Sequence, residues 1–137
     1  MKKLTSALSL LLLFSIWCAC SEDDGVSKTS LGTYQLTAIY SDPGDGSGDF
    51  APVESNKRIT LYQDSTFAAN FSLCNGLSIE DTGSTEGTFS SAELSFKADC
   101  NNSLPSNELR IDLFESELII YYSCYEGCSE KYSRINE

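Results

Sequence analysis

The sequence predicts an all-β protein, a single antiparallel up-and-down barrel of about eight short strands. Three observations predict it. From Leu31 onward apolar residues recur with a period of two rather than 3.6. No run of ten or more residues carries the spacing of an amphipathic helix, and turn residues separate the alternating stretches at short intervals. Closure is favoured because a flat sheet of that many strands would leave exposed edges to protect.

The first strand places Tyr34, Leu36, Ala38 and Tyr40 on one face and Thr33, Gln35, Thr37 and Ile39 on the other. After a loop, Ile59 and Leu61 alternate with Thr60 and Tyr62. Asp64-Ser65 reads as a hairpin turn, beyond which Phe67, Ala69, Phe71 and Leu73 alternate with Ala68, Asn70 and Ser72. The pattern weakens through Leu77 and Ile79, turns at Asp81 to Gly83 and resumes around Gly87 to Phe89. Leu94, Phe96, Ala98 and Cys100 then share a face opposite Glu93, Ser95, Lys97 and Asp99. Asn101 to Asn107, with Pro105, reads as a loop. Leu109, Ile111 and Leu113 form the next strand, Glu115-Ser116 the next turn, and Leu118 to Tyr125 and Glu130 to Ile135 the last two strands.

Ahead of this domain, Lys2 and Lys3 precede an apolar run from Leu8 to Trp17 broken only by Ser9 and Ser15. The run is shorter than the roughly 20 residues that span a bilayer and ends in small residues without a basic stop. Residues 1–19 therefore read as a signal peptide. Trp17-Cys18-Ala19-Cys20 resembles the lipobox of bacterial lipoproteins, with Ala19 in its small-residue position and Trp17 where an aliphatic residue is usual. The resemblance implies that Cys20 carries a diacylglycerol thioether and an N-acyl chain such as palmitate, enough acyl chains to hold the chain on a membrane. Cleavage removes Cys18 and leaves Cys20 the odd cysteine, which also argues for its modification.

Residues 20–30 read as the lipidated cysteine and a flexible acidic tether, and 31–137 as the domain. Ser21-Glu22-Asp23-Asp24 resembles the acidic export signal that sends lipoproteins of Bacteroidota-type bacteria to the outer face of the outer membrane. Without Lys2 and Lys3, the seven remaining basic residues against 20 acidic ones leave a net charge of −13. Such a surface repels nucleic acid and anionic headgroups. The 118 residues from Cys20 to Glu137 suffice for one domain with a core and are too few for two.

In an exported domain Cys74, Cys100, Cys124 and Cys128 read as two disulfides, with three connectivities open. The favoured one is Cys74–Cys100 and Cys124–Cys128, the second clamping the last hairpin. A four-thiolate zinc site would need two close pairs, and the sequence has one. The chain has no histidine, the commonest general base, so Ser or Cys triads of the usual kind cannot be assembled and no enzyme is expected. None of the 20 acidic residues stands out as a paired catalytic carboxylate.

Leu31-Gly32-Thr33-Tyr34-Gln35-Leu36 resembles the Gly-x-Trp first-strand signature of lipocalin-like barrels, with Tyr34 in place of Trp. Arg134 matches the basic residue that packs across that aromatic. With Asp42 to Gly48, Pro52-Val53-Glu54-Ser55 and the strand from Lys57, the chain resembles exported Bacteroidota lipoproteins with a calycin-like, lipocalin-like barrel. The resemblance covers Leu31 to Ile135 and implies the fold far more than a function.

Two candidate sites follow. Asp42, Asp45 and Asp49 lie in a glycine-rich loop whose oxygens suit Ca²⁺, although the loop lacks the ligand spacing of an EF-hand and also reads as a plain inter-strand turn. No other cofactor is expected. Tyr34, Phe67, Phe71, Phe96 and Tyr122 line the barrel, where they either surround one small hydrophobic ligand or fill the interior. The first alternative is a ligand-binding lipoprotein. The second is a surface accessory module that contacts a protein partner.

Overall fold

The computed structural model describes residues 28–75, 83–100, 108–124 and 127–136. The signal peptide, Cys20, most of the tether, Leu77, Ile79 and Asn101 to Asn107 lie outside them. Nine strands run in order: β1 (Ser30–Ser41), β2 (Asp49–Pro52), β3 (Arg58–Tyr62), β4 (Thr66–Ala69), β5 (Thr85–Ser90), β6 (Ser95–Ala98), β7 (Glu108–Leu113), β8 (Glu117–Tyr122) and β9 (Cys128–Ile135). Every pairing is antiparallel, and β9 returns to β1 from Thr33↔Ile135 to Ser41↔Cys128. The result is a closed eight-stranded barrel with one added strand, as the alternation predicts.

The added strand is β2, in a stretch where the alternation predicts a loop. One side of β1 is covered by β9, so β2 and β3 share the other, pairing at Ala38↔Pro52 and Gln35↔Arg58. The ladder bridges the gap between them, with Val53 N–H donating to the Thr37 carbonyl at 2.9 Å and Leu36 N–H to the Lys57 carbonyl at 3.1 Å. These two strands are one interrupted strand, and Lys57 sits at the break.

Strand direction divides the barrel into two rims. The short hairpins β3–β4, β5–β6 and β7–β8 share the N-terminal rim with Lys28 to Leu31 and the end of β9. The longer connections, the Asp42 loop and all four cysteines lie on the opposite loop rim. There Cys74–Cys100 ties the segment after β4 to the end of β6, and Cys124–Cys128 spans the β8–β9 turn, the favoured connectivity.

Three local readings change. A bulge at Thr37 shifts the β1 register, pairing Leu36 with Tyr132 but Ala38 with Lys131. An extra residue on one strand exchanges its faces, so Ile39 packs against the core. Tyr40 turns outward onto Phe50, at 5.4 Å between centroids. Strand β4 ends at Ala69, and Phe71 and Leu73 reach the core through a bend and a 3-10 turn (Leu73–Asn75). Leu94 does not begin the sixth strand. It closes the β5–β6 hairpin with φ 51° and is exposed.

Packing demands the glycine at Gly87. A Cβ there would collide with the Lys97 carbonyl oxygen and lie 2.9 Å from the Phe67 ring, which occupies the space that glycine leaves. Gly87→Ala is expected to lower stability by about 1–3 kcal/mol, the usual cost of overpacking. A shift of the urea midpoint, compared with that of Ala92→Gly on the exposed hairpin, checks this.

Candidate functional site

Three of the five aromatic candidates, Phe67, Phe71 and Phe96, are each in ring-to-ring contact. Phe67 stacks on Phe96 at 4.5 Å, Phe89 meets Phe96 edge-on at 6.4 Å, and Phe71 stacks on Tyr132 at 6.1 Å. Phe96, Ile111, Leu118, Ile120 and Tyr132 have no exposed surface, and Phe67 and Phe71 have 1%. Tyr34 is buried at the same core and Tyr122 packs against it. Described residues also form two open grooves, both outside the interior. One, of about 320 Å³, runs from Ser30–Thr33 to Arg134–Asn136. The other, of about 380 Å³, lies on the wall between Thr33, Arg58, Thr60, Ala68, Ala69 and Asn70.

A charged cluster that sequence reasoning did not single out lies inside the barrel. Lys57, which enters where the β2–β3 strand breaks, donates from Nζ to Glu130 Oε1 at 3.1 Å, with the two side chains 4% and 0% exposed. The same ammonium lies 4.5 Å from the centre of the Phe71 ring. Tyr122 and Tyr132 donate their hydroxyls to Glu130 Oε2, at 2.7 and 2.5 Å. The carboxylate therefore accepts three bonds from the chain itself. A group so enclosed and so fully partnered holds packing and register. The signal in the sequence was Glu130 on the inward phase of β9, two residues before Tyr132.

Burial pushes the Tyr132 hydroxyl well above the ordinary tyrosine range, and Tyr122 and Glu130 push it further. The unfolded chain ionises this phenol near pH 10 while the folded chain keeps it neutral. Its contribution is therefore whole below about pH 10 and declines as the pH rises towards the folded value. Tyr132→Phe is expected to flatten the alkaline part of that decline in urea midpoints measured between about pH 9 and pH 11.

The loop-rim aspartates face their own backbone. Asp42 Oδ1 accepts the amides of Gly44 and Gly46 at 2.8 and 3.1 Å, and Oδ2 the Gly48 amide and the Tyr40 hydroxyl, both at 3.4 Å. The Gly44 amide, then those of Gly46 and Gly48, hold the Asp42 carboxyl below the usual carboxylate range. Asp45 is lowered by the Ser47 hydroxyl and then the Ser47 amide, which it accepts at 2.9 Å. Asp49 accepts the Phe50 amide at 2.7 Å. Among the described residues no three acidic or thiol side chains converge as a metal-binding group. These hydrogen bonds fold the loop back over Tyr40, where a Cβ at Gly48 would strike that ring.

At the other rim, Arg134 stands opposite Tyr34 in the ladder and donates to the Leu31 carbonyl at 2.7 Å and the Glu115 carbonyl at 3.4 Å. A Cβ at Gly32 would lie 2.9 Å from its Nε, so the guanidinium crosses the glycine of the Gly-x-Tyr segment and closes this end. These contacts define a closed antiparallel barrel with a charged core and two disulfides on one rim. Among protein-family models, curated proteins and solved structures, none matches the chain.

Proposed function

We propose that the chain is an exported bacterial lipoprotein, anchored through Cys20 in the outer membrane and facing the cell surface, whose filled barrel is a non-enzymatic module for contact with a protein partner. The observation that carries the choice of a filled module over a ligand carrier is the interior itself. Phe67, Phe71 and Phe96, the side chains that would line a hydrophobic pocket, are stacked and water-tight, with Lys57 and Glu130 joined among them. A small hydrophobic ligand would have to displace this core. The anchor is supported by Lys2, Lys3, the apolar run and the Ala19-Cys20 step, and the cell-surface address by the acidic residues after Cys20. A net charge of −13 on the mature chain turns away nucleic acid and favours a partner with basic character.

Labelled palmitate fed to cells that export the chain tests the anchor. The expected result is label on the native chain and none on Cys20→Ala, with protease added to whole cells removing the domain. Label on neither chain would reject the anchor.

A further inference from the structure

Among the described residues, the exposed large apolar side chains are Leu31, Leu94 and Phe114, at 45%, 41% and 56%. All three lie on the N-terminal rim: Leu31 at the start of β1, Leu94 in the β5–β6 hairpin and Phe114 in the β7–β8 hairpin. They are joined around it. Arg134 bonds the carbonyls of both Leu31 and Glu115, next to Phe114, and the Leu94 carbonyl accepts the Ile111 amide at 2.8 Å on the strand leading to Phe114. Leu94 is costly there in two ways. Its φ of 51° is a conformation that asparagine or glycine adopts more easily, and its side chain faces water. A strained, exposed leucine points to a surface that is covered in use.

The chain itself indicates what covers it. It reaches the barrel at this rim, where Lys28 Nζ donates to Thr66 Oγ1 at 3.2 Å and lies 5.4 Å from the centre of the Tyr62 ring. The ten residues from Cys20 to Ser30 span at most about 35 Å, so a lipid on Cys20 tethers the chain to the bilayer through this rim and not through the acidic loop rim. Three separate side chains, each of roughly 200 Å² or less and about half exposed, fall far short of the ~800 Å² per partner of a stable protein interface. They suit insertion at the boundary between headgroups and acyl chains. Lys28 and Arg134 are set against Asp64, Glu93 and Glu115 on the same rim, which fits a zwitterionic surface rather than an anionic one.

We infer that the N-terminal rim rests on the membrane that holds Cys20, with Leu31, Leu94 and Phe114 entering the interface and the loop rim presented outward. This rests on the lipid-anchor reading above. The anchor supplies retention, and the rim, held at high effective concentration, sets orientation.

The mature chain has no tryptophan, because Trp17 precedes Cys20. Two variants of the full exported chain, Phe114→Trp and Ser47→Trp, are therefore each reconstituted into phosphatidylcholine vesicles with brominated acyl chains. The expected result is blue-shifted emission quenched at least two-fold for Phe114→Trp, with Ser47→Trp unquenched on the loop rim. Flotation with the vesicles without selective quenching would overturn the orientation while leaving the anchor intact. A blue shift of Phe114→Trp that needs no vesicles and grows with protein concentration would overturn it in favour of a second copy. Failure to float at all would reject the anchor, and this inference with it.

Discussion

Replacing Glu130 with leucine is expected to lower the stability of the barrel by about 3–5 kcal/mol, because it leaves the Lys57 ammonium buried without its counter-ion. The loss also removes the carboxylate oxygen that accepts the Tyr122 and Tyr132 hydroxyls. For a domain whose total stability is of the order of 5–15 kcal/mol, that is about a fifth of it or more. Lys57→Met combined with Glu130→Leu is expected to cost less than Glu130→Leu alone, since it removes both charges and leaves no buried ion unpaired. Urea midpoints of the native chain, Lys57→Met, Glu130→Leu and the double variant, with the disulfides kept oxidised, give the comparison. A loss in the double variant equal to the sum of the two single losses would show that the pair is not coupled.

The second large effect is expected at Phe67. Its ring is 1% exposed, stacked on Phe96 and lying over Gly87, so Phe67→Ala opens a void in a packed core and is expected to cost about 3–5 kcal/mol. The magnitude separates the two roles set out for the aromatic residues. A phenylalanine lining an empty pocket has few partners to lose, and its truncation would cost well under 1–2 kcal/mol. Thermal or urea unfolding of Phe67→Ala, with Phe114→Ala on the exposed rim as reference, decides between them.

Much of the barrel was legible because one wall faces the core and the other faces water, which imprints a two-residue period on every strand. The disulfide partners were legible for a related reason: strand ends that meet on one rim bring Cys74 to Cys100. What stayed hidden depends on single residues of backbone irregularity. Nothing in Thr37 announces a bulge, yet the bulge turns Ile39 inward and Tyr40 outward, against the alternation. Leu94 has the right phase for a core position but sits in a left-handed turn before the strand begins. The strand Asp49–Pro52 was obscured by its aspartate and proline, and it is tolerated because it pairs only with β1.

The charged core was the hardest feature to foresee. A lysine before a strand and a glutamate within one normally read as solvent-facing. Only closure of the barrel brings Lys57 from the β2–β3 break to Glu130 on β9, 73 residues later. The two aromatic hydroxyls complete a network that is satisfied in one register of these strands, and a slip would leave charges buried and unpaired. The same network occupies space that a ligand would need.

Native mass spectrometry of the exported, lipidated chain released from detergent, compared with its denatured mass, tests the filled-barrel account most directly. The account predicts the same mass in both states, that of the acylated polypeptide with two disulfides. A discrete additional mass of a small hydrophobic molecule, lost on denaturation and carried equally by Cys20→Ala, would contradict it.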